Sequence, residues 1–314
     1  MSSFDAFSVQ AWPTTAQDWP GLARRCEELG FEGLVVPDHP GSAPSPFVAL
    51  AAAAAVTSHL RLGTCVINAG LWEPVPLATE VATLDVVSAG RALLGLGAGH
   101  TPAEWRMQGR AMPPASQRVD RLIEVVDTTR RLLDGGKVTF AGSHVLLRGA
   151  MSHPRPVQQP VPLLIGGNGP RVLRHGGRRA DIVGLTGLAR TLNDGHRHEV
   201  GWKPADIGRR VELVWEAAAA AGNTPRLEAL VQHVQITDDA AAVADELARR
   251  IPGASAEDIL QAPFVLLGTV EELTAEVGRH RARWGITRDA VRRDALDDAA
   301  RLLRAVRTPT ARRR

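Results

Sequence analysis

The sequence of 314 residues predicts a single (β/α)8 barrel, the TIM-barrel class of α/β fold. Short β-type runs alternate with amphipathic helical stretches almost from the first residue, which is typical of a parallel sheet wrapped by helices. The alternation supplies eight strand–helix units without a break in composition, which favours one domain. A doubly wound sheet is disfavoured because neither GAGHTP (97–102) nor GNGPRV (167–172) supplies the third glycine of a G-x-G-x-x-G fingerprint.

The first four units are identified from apolar spacing and from the residues that end each helix. Strands are predicted at 6–11, 33–37, 61–67 and 91–99. The first helix has apolar residues at three- and four-residue spacing and stops at Gly30. An alanine-rich helix follows at 47–57, and the third helix begins near Pro74 and ends before Gly90.

The last four units include one insertion and one weak strand. The fourth helix is predicted from about Ser116, and the period-two alternation of 137–147 after it predicts a hairpin insertion. The sequence TVEE at 269–272 predicts a capping box at the start of a late helix. Strand eight is placed at 285–291, where the sequence is only weakly apolar. Strands five, six and seven are predicted at 162–166, 181–185 and 229–237.

The composition predicts a cytoplasmic globular protein. Hydrophobic residues make up 44% and charged residues 23% of the chain, as in soluble domains. The two cysteines, Cys26 and Cys65, are too few for a disulfide framework, which favours a reducing compartment. The N-terminus lacks the features of a secretory signal, and the longest apolar run, 47–56, is too short to span a bilayer. We therefore expect no membrane partner.

The basic charge is concentrated at the C-terminus. The last ten residues, AVRTPTARRR, hold four arginines and no acid, so the remainder has 33 basic residues against 34 acidic ones. We predict that the barrel domain spans residues 1–304 and that residues 305–314 form a basic disordered tail. Since no stripe of basic and aromatic residues occurs elsewhere, a nucleic-acid partner is not expected.

Polar and glycine residues gather where predicted strands two to five end. In a (β/α)8 barrel the C-terminal ends of the strands meet on one face, and that face carries the function. The residues placed there are Asp38 and His39; Cys65, Val66 and Asn68; Gly97, Ala98, Gly99, His100 and Glu104; and Gly166, Gly167, Asn168 and Gly169. The last four lead into a helix, whose N-terminal N–H groups suit an anion such as phosphate. The alternative is a tight turn without a ligand.

The sequence resembles the bacterial luciferase-like barrels, especially their deazaflavin (F420)-dependent oxidoreductase branch. Three segments carry the resemblance, which extends more loosely over residues 6 to about 285: VVPDHP (35–40), the segment 60–105 that contains LRLGTCVINAGLWEP and LLGLGAGHTPAEW, and PLLIGGNGPRVLRHGGRRADIVGL (162–185). The resemblance implies a flavin-like cofactor across the strand ends. Both F420 and FMN bind such barrels, and the closer overall likeness is to the F420 branch.

The resemblance also implies roles for individual residues. Asp38 and His39 match an Asp-His pair near the reactive end of the ring, and Cys65-Val66 matches a non-prolyl cis peptide against the ring. Asn68 matches a polar side chain that faces the ring. The remaining matches are backbone positions: Gly97, Ala98 and Gly99 against the cofactor, and Gly166, Gly167, Asn168 and Gly169 around its phosphate. His39 is the first candidate acid/base and His100 the second, because imidazole titrates near neutrality.

Two departures from the family pattern bear on the substrate. His100 stands where F420-dependent sugar dehydrogenases carry a glutamate proton donor, and the eighth strand is weak, so sugar-phosphate chemistry is in doubt. The expected function is hydride transfer between C5 of F420 and a small organic substrate, by a homodimer. One alternative is a reduced-FMN monooxygenase, which would need a separate flavin reductase as its partner. The other is a degenerate barrel that binds a cofactor without catalysis.

Two further groups of residues have ambiguous patterns. The loop DGHRHE carries metal-ligand side chains, but H-x-H without a defined third ligand is a weak metal signal and no metal is expected. Three tryptophans fall near strand ends, where they could either line a substrate pocket or pack the barrel rim: Trp12, Trp72 and Trp105.

Overall fold

The structure is a computed structural model that describes residues 6–192 and 198–307. The strands are β1 (Ala6–Gln10), β2 (Gly33–Val36), β3 (Arg61–Thr64), β4 (Ile67–Asn68), β5 (Ala92–Gly97), β6 (Val138–Ala141), β7 (Leu146–Ala150), β8 (Leu163–Gly166), β9 (Ile182–Leu185), β10 (Leu188–Thr191), β11 (His198–Val200), β12 (Arg226–Val231), β13 (His233–Ile236), β14 (Val265–Gly268) and β15 (Ile286–Arg292). The helices are α1 (Asp18–Glu28), α2 (Pro46–Ala54), α3 (Pro74–Val87), α4 (Pro102–Met107), α5 (Ala115–Leu133), α6 (Pro170–Arg179), α7 (Pro204–Ala221), α8 (Ala240–Arg250), α9 (Ala256–Gln261), α10 (Val270–Trp284) and α11 (Leu296–Arg307).

Eight parallel strands close into a barrel, which confirms the predicted fold class. Around the ring the order is β1-β2-β3-β5-β8-β9-β12-β15, and the ring closes because β15 pairs with β1. In this order β5 lies across the barrel from β15, and β8 lies across from β1. The short strand β4 extends the third barrel position alongside β5.

Part of the barrel interior is filled by a small apolar cluster. Side chains from four strands and from the link between β3 and β4 meet in this buried cluster, which consists of Val35, Cys65, Leu93, Leu164 and Ile182. The larger core lies between the strands and the surrounding helices, where the apolar faces of both are buried.

The prediction of one strand over 229–237 is wrong in its extent. Barrel strand β12 begins earlier, at Arg226, and ends at Val231. The chain then leaves the barrel, since the N–H of Gln232 donates to the carbonyl of Phe264 at 2.7 Å. The next segment, β13, pairs in parallel with β14 in a separate two-stranded sheet. The apolar alternation runs through both segments, so periodicity alone does not show where the strand changes sheets.

The eighth strand is regular despite its polar sequence. β15 pairs with both β1 and β12, and Arg288 points into the barrel. Its guanidinium contacts Glu228 Oε2 at 3.0 Å and Glu32 Oε1 at 2.6 Å. Burial by itself would lower the pKa of Arg288, but the two carboxylates raise it overall. This paired charge explains the weak apolarity, and the irregular strand that motivated the degenerate-barrel alternative is not observed.

The remaining sequence expectations concern the insertion, one helix start and the tail. β6 and β7 form the expected antiparallel hairpin, and Thr269 and Glu272 form both bonds of the capping box. Helix α11 continues to Arg307, so residues 305–307 of the predicted tail are helical and the rest of it lies outside the described residues. Among the described residues, no helix is long and apolar enough to cross a membrane.

Candidate active site

A cavity of about 1090 Å³ opens at the C-terminal ends of the barrel strands. This volume suits a cofactor or another ligand of drug size or larger. Every residue that the sequence analysis assigned to catalysis or cofactor binding lines it. These are Asp38, His39, Cys65, Val66, Asn68, Gly97, Ala98, Gly99, His100, Gly166, Gly167, Asn168 and Gly169.

Asp38 is buried two residues after β2 and ties that strand to β4 and to the loop after it. Its Oδ2 atom accepts a hydrogen bond from the backbone N–H of Asn68 at 3.1 Å and another from Trp72 Nε1 at 2.9 Å. Burial raises the pKa of Asp38, and these two hydrogen bonds only partly oppose that shift. Its hydrogen bonds thus go to Asn68 and Trp72 rather than to His39, so Asp38 holds the cavity wall in place.

His39 is held by a carboxylate that the sequence analysis noted but did not assign to the site. Its Nδ1 atom lies 2.7 Å from Glu104 Oε1, and Glu104 Oε2 accepts a hydrogen bond from Asn68 Nδ2 at 2.8 Å. Burial opposes ionisation of Glu104, but the hydrogen bonds from His39 and Asn68 lower its pKa overall. An ionised acceptor at Nδ1 places the proton of a neutral imidazole there. The Nε2 atom of His39, whose side chain is 40% exposed, is then the one available to a ligand.

Glu104 lies in the first turn of α4, a short helix that the sequence analysis did not predict. The sequence TPAE at 101–104 does contain a signal for a helix start, in Pro102 and Glu104. A proline at the first helical position with an acidic residue two positions later is a common helix start. This signal would have placed Glu104 on a short helix after the end of β5.

His100 lies between two other imidazoles. Its ring centroid is 4.6 Å from that of His198 and 6.2 Å from that of His39. Desolvation by the surrounding protein, followed by the effect of His198 and His39, lowers the pKa of His100 to about 4. His100 is therefore a neutral side chain near pH 7, and His39 is the better candidate for proton transfer.

His198 belongs to the loop whose H-x-H pattern suggested a metal. It begins β11, which pairs with β10 as an antiparallel hairpin beside the cavity. Asp194 and His196 of the same loop lie outside the described residues. Within residues 6–192 and 198–307, no three metal-ligand side chains are grouped closely enough to hold an ion.

The peptide bond between Cys65 and Val66 is cis, as the resemblance implied. The carbonyl of Cys65 accepts a hydrogen bond from Gln10 Nε2 at 2.6 Å, and the Val66 side chain lines the cavity. A Cβ atom on Gly97 would lie 2.7 Å from Val66 Cγ2, and one on Gly166 would lie 3.0 Å from Val66 Cγ1. These glycines therefore make room for Val66 as well as leaving backbone open to the cavity. Burial raises the pKa of Cys65 to about 12, so its thiol stays protonated.

The turn from β8 into α6 is anchored at Asn168 and open at Gly169. Asn168 Nδ2 donates to Thr186 Oγ1 at 2.6 Å and to the Leu188 carbonyl at 2.7 Å, which ties the turn to neighbouring chain. Gly169 is the N-cap of α6, and no side chain caps this helix. A Cβ atom at Gly169 would meet no heavy atom within 4 Å. The first-turn N–H groups and the helix dipole thus face open space, as an anion site requires.

The three tryptophans near strand ends have different environments. Trp12 is 43% exposed and lines the cavity. Trp72 donates to Asp38 and packs edge-on against Phe47. Trp105 is almost fully buried and packs under Gly70. Only for Trp12 does the position suit direct contact with a ligand.

One wall of the cavity escaped the sequence analysis. Gln10 and Arg292 line it from the ends of β1 and β15, and Glu228 lines it from within β12. Arg292 falls one residue past the predicted end of strand eight, and Glu228 falls one residue before the predicted start of strand seven. A charged residue at the edge of an apolar strand was the available signal, but it does not reveal whether the side chain faces inward.

Comparisons with known proteins agree with this architecture. The sequence model of a family described as luciferase-like monooxygenase matches residues 1–309. An F420-dependent glucose-6-phosphate dehydrogenase of Kineococcus radiotolerans is 36% identical over 168 residues, which are 51% of this chain and 49% of that protein, so the chain spans about half the length of this relative.

Two solved structures share the fold over nearly the whole chain. The F420-dependent tetrahydromethanopterin reductase of Methanopyrus kandleri superposes with a TM-score of 0.75 at 21% identity, covering 96% of this chain and 97% of that one. A monooxygenase of Streptomyces bottropensis gives a TM-score of 0.75 at 23% identity, covering 95% and 96%.

Proposed function

The chain belongs to the luciferase-like monooxygenase family, and from this premise we propose that it is an F420-dependent oxidoreductase. The reaction is hydride transfer between C5 of the deazaflavin and a small organic substrate. One observation carries the proposal: a single cavity joins the open N-terminus of α6 at Gly169 to His39, whose Nδ1 atom is held by Glu104. An anion seat and a positioned proton-transfer group are the two protein features that such a reaction needs.

The residues present fit a phosphate-bearing cofactor with a flat ring. Gly169 and the first turn of α6 would hold the phosphate, because space is open there and the N–H groups are uncapped. Val66 would support the ring from the cavity floor, where Gly97 and Gly166 already make room for its side chain. F420, when bound, supplies a hydride donor or acceptor at C5.

The residues of the chain itself would manage the proton that accompanies the hydride. His39 accepts or donates this proton at Nε2, because Glu104 engages Nδ1. Glu104 is a positioning residue, and Asn68 fixes it from the other side at 2.8 Å. Neutral His100 lies beside them and borders the substrate space.

The proposal includes a cytoplasmic location and a homodimeric assembly. Both cysteines are buried free thiols, which agrees with a reducing compartment. Light scattering on the purified protein measures the assembly, and a mass of one chain would remove the homodimer from the proposal.

A side-by-side titration of the protein with F420 and FMN, followed by cofactor fluorescence, tests the cofactor assignment. We expect micromolar or tighter binding of F420 and much weaker binding of FMN. The opposite preference would replace the proposal by a reduced-FMN monooxygenase that depends on a separate reductase. Binding of neither cofactor would overturn both.

A further inference from the structure

Two opposite walls of the cavity carry different chemistry. The glycine-rich wall is formed by the ends of β5 and β8, where Gly97 and Gly169 lie. The opposite wall is formed by the ends of β15 and β1, where Arg292 pairs in register with Gln10. A cofactor held at the glycine-rich wall leaves the opposite wall to face the substrate.

Arg292 differs from the neighbouring arginines in having no carboxylate partner. Its Nη2 atom donates to the amide oxygen of Gln232 at 2.7 Å, and within the described chain no carboxylate oxygen lies within 4.0 Å of it. By contrast, Arg293 is paired with Asp18, and Arg288 is paired with two glutamates.

The surroundings of Arg292 disfavour its charged form. Desolvation lowers the pKa of Arg292, with only weak opposition from the Cys65 thiol and the exposed Asp294. A guanidinium nevertheless stays charged at all ordinary pH values. A partly buried cation without a counterion is destabilising for the fold, which is the usual condition of a ligand-binding charge.

We propose that Arg292 binds a carboxylate group of the substrate. This inference rests on the proposed function, because it assigns a substrate class to the same cavity. The planar guanidinium fork matches the two oxygens of a carboxylate, and the resulting bonds are charge-assisted. Trp12 lines the same region and offers an aromatic face to the apolar body of such a substrate.

The charges of the wall favour a monoanion over a phosphate monoester. Arg288 forms ion pairs with both Glu228 and Glu32. These three side chains together therefore contribute no net positive charge to the wall. Asp294 lines the cavity as a further acid. One carboxylate balances Arg292. The second charge of a phosphate monoester would have no unpaired arginine to balance it, because Arg293, which also lines the cavity, is already paired with Asp18. The substrate class therefore differs from the sugar phosphate in the name of the Kineococcus relative.

Three probes that share one ring test the inference: benzoate, benzamide and phenyl phosphate. Their dissociation constants are measured by ligand-observed NMR on the full chain, with and without F420. We expect benzoate to bind about ten-fold or more tightly than benzamide, the ratio for one charge-assisted hydrogen bond. Phenyl phosphate should bind more weakly than benzoate.

Variants locate the effect. Arg292→Gln should remove the preference for benzoate and leave benzamide binding unchanged. Arg293→Gln is the matched control, because Arg293 lines the same cavity and carries the same charge but is already paired with the carboxylate of Asp18. Equal binding of benzoate and benzamide, survival of the preference in Arg292→Gln, its loss in Arg293→Gln, or tighter binding of phenyl phosphate would each overturn the inference.

The F420 titration separates this inference from the proposed function. Loss of F420 binding together with an Arg292-dependent benzoate preference would overturn the proposed function and leave the carboxylate site standing. F420 binding without a benzoate preference would overturn the carboxylate site alone. The melting temperature of Arg292→Gln confirms that the variant is folded in either case.

Discussion

A substitution at Gly169 can test the proposed cofactor site without disturbing the fold. Its backbone is extended, with φ −73° and ψ 142°, and a side chain there would enter open space. As an N-cap, aspartate stabilises a helix more than glycine does, by about 0.3 kcal/mol. Its negative charge at the helix N-terminus stabilises the fold by about a further 0.3–1 kcal/mol. We therefore expect Gly169→Asp to fold with an unchanged or slightly raised melting temperature.

The same carboxylate would occupy the space proposed for the cofactor phosphate. Two unit negative charges 4–5 Å apart repel by about 3–4 kcal/mol at an effective dielectric constant near 20, and by about 1 kcal/mol in bulk water. The free energy of a tenfold change in affinity is about 1.4 kcal/mol. Gly169→Asp should therefore weaken F420 binding by about five- to a thousand-fold.

The assay is a fluorescence titration of F420, with Gly169→Asn as the matched control. Asparagine has the size and capping ability of aspartate but no charge. We expect its dissociation constant to stay within about threefold of wild type, and the deficit of Gly169→Asp to shrink as salt screens the repulsion. Equal affinity of the two variants would refute the anion seat, and a large drop in melting temperature would refute the open geometry at Gly169.

The other predictions concern His39, Glu104, His100 and Arg288. His39→Ala should lower the turnover of any substrate found by about 10²–10⁴-fold and leave the affinity for F420 unchanged. Glu104→Gln should lower turnover by less. Unchanged turnover in His39→Ala would exclude His39 as the acid/base. Because the pKa of His100 is lowered to about 4, the stability it contributes is present above its usual pKa near 6.5 and is lost as the pH falls toward 4. Thermal unfolding should thus depend more steeply on pH between 7 and 4 in wild type than in His100→Gln, and parallel curves would contradict this. Arg288→Met should lower the free energy of unfolding, measured by urea denaturation, by about 3–5 kcal/mol, because Glu228 is left buried and unpaired. The second substitution Glu228→Gln should restore part of this loss. An unchanged free energy of unfolding in the single variant would refute the pairing.

The barrel itself was predictable because each strand is a short run bounded by residues with their own turn chemistry. The glycine that ends the first helix, the prolines that begin the third and the capping box at Thr269 are local signals, and the structure has each element in place. Both ends of strand eight were predicted to within one residue from its position after a helix. Its burial was not evident from the sequence, because Arg288 makes the strand look polar. A paired charge in a barrel interior cannot be distinguished from an exposed one by hydropathy.

Contacts between distant parts of the chain were not predictable in the same way. Glu104 and His39 are 65 positions apart, and nothing in the local sequence of either indicates that they touch. The separation of β13 from β12 depends on a partner strand, β14, about thirty residues later. The residues proposed to face the cofactor were found through resemblance to a family. Arg292 lies in none of the motifs that carry this resemblance, and its position became evident only from the arrangement of the strands around the cavity.

The ring order of the strands has a consequence for how this protein can change. β2 and β3 on one side, and β9 and β12 on the other, separate β5 and β8, which carry the proposed anion site, from β15 and β1, at whose ends Arg292 and Gln10 lie. Mutations in the loops after β15 and β1 therefore follow strands that do not pair with β5 or β8. A library randomised there should yield variants with new substrate preferences that all keep one inherited cofactor, and natural lineages can diversify by the same route.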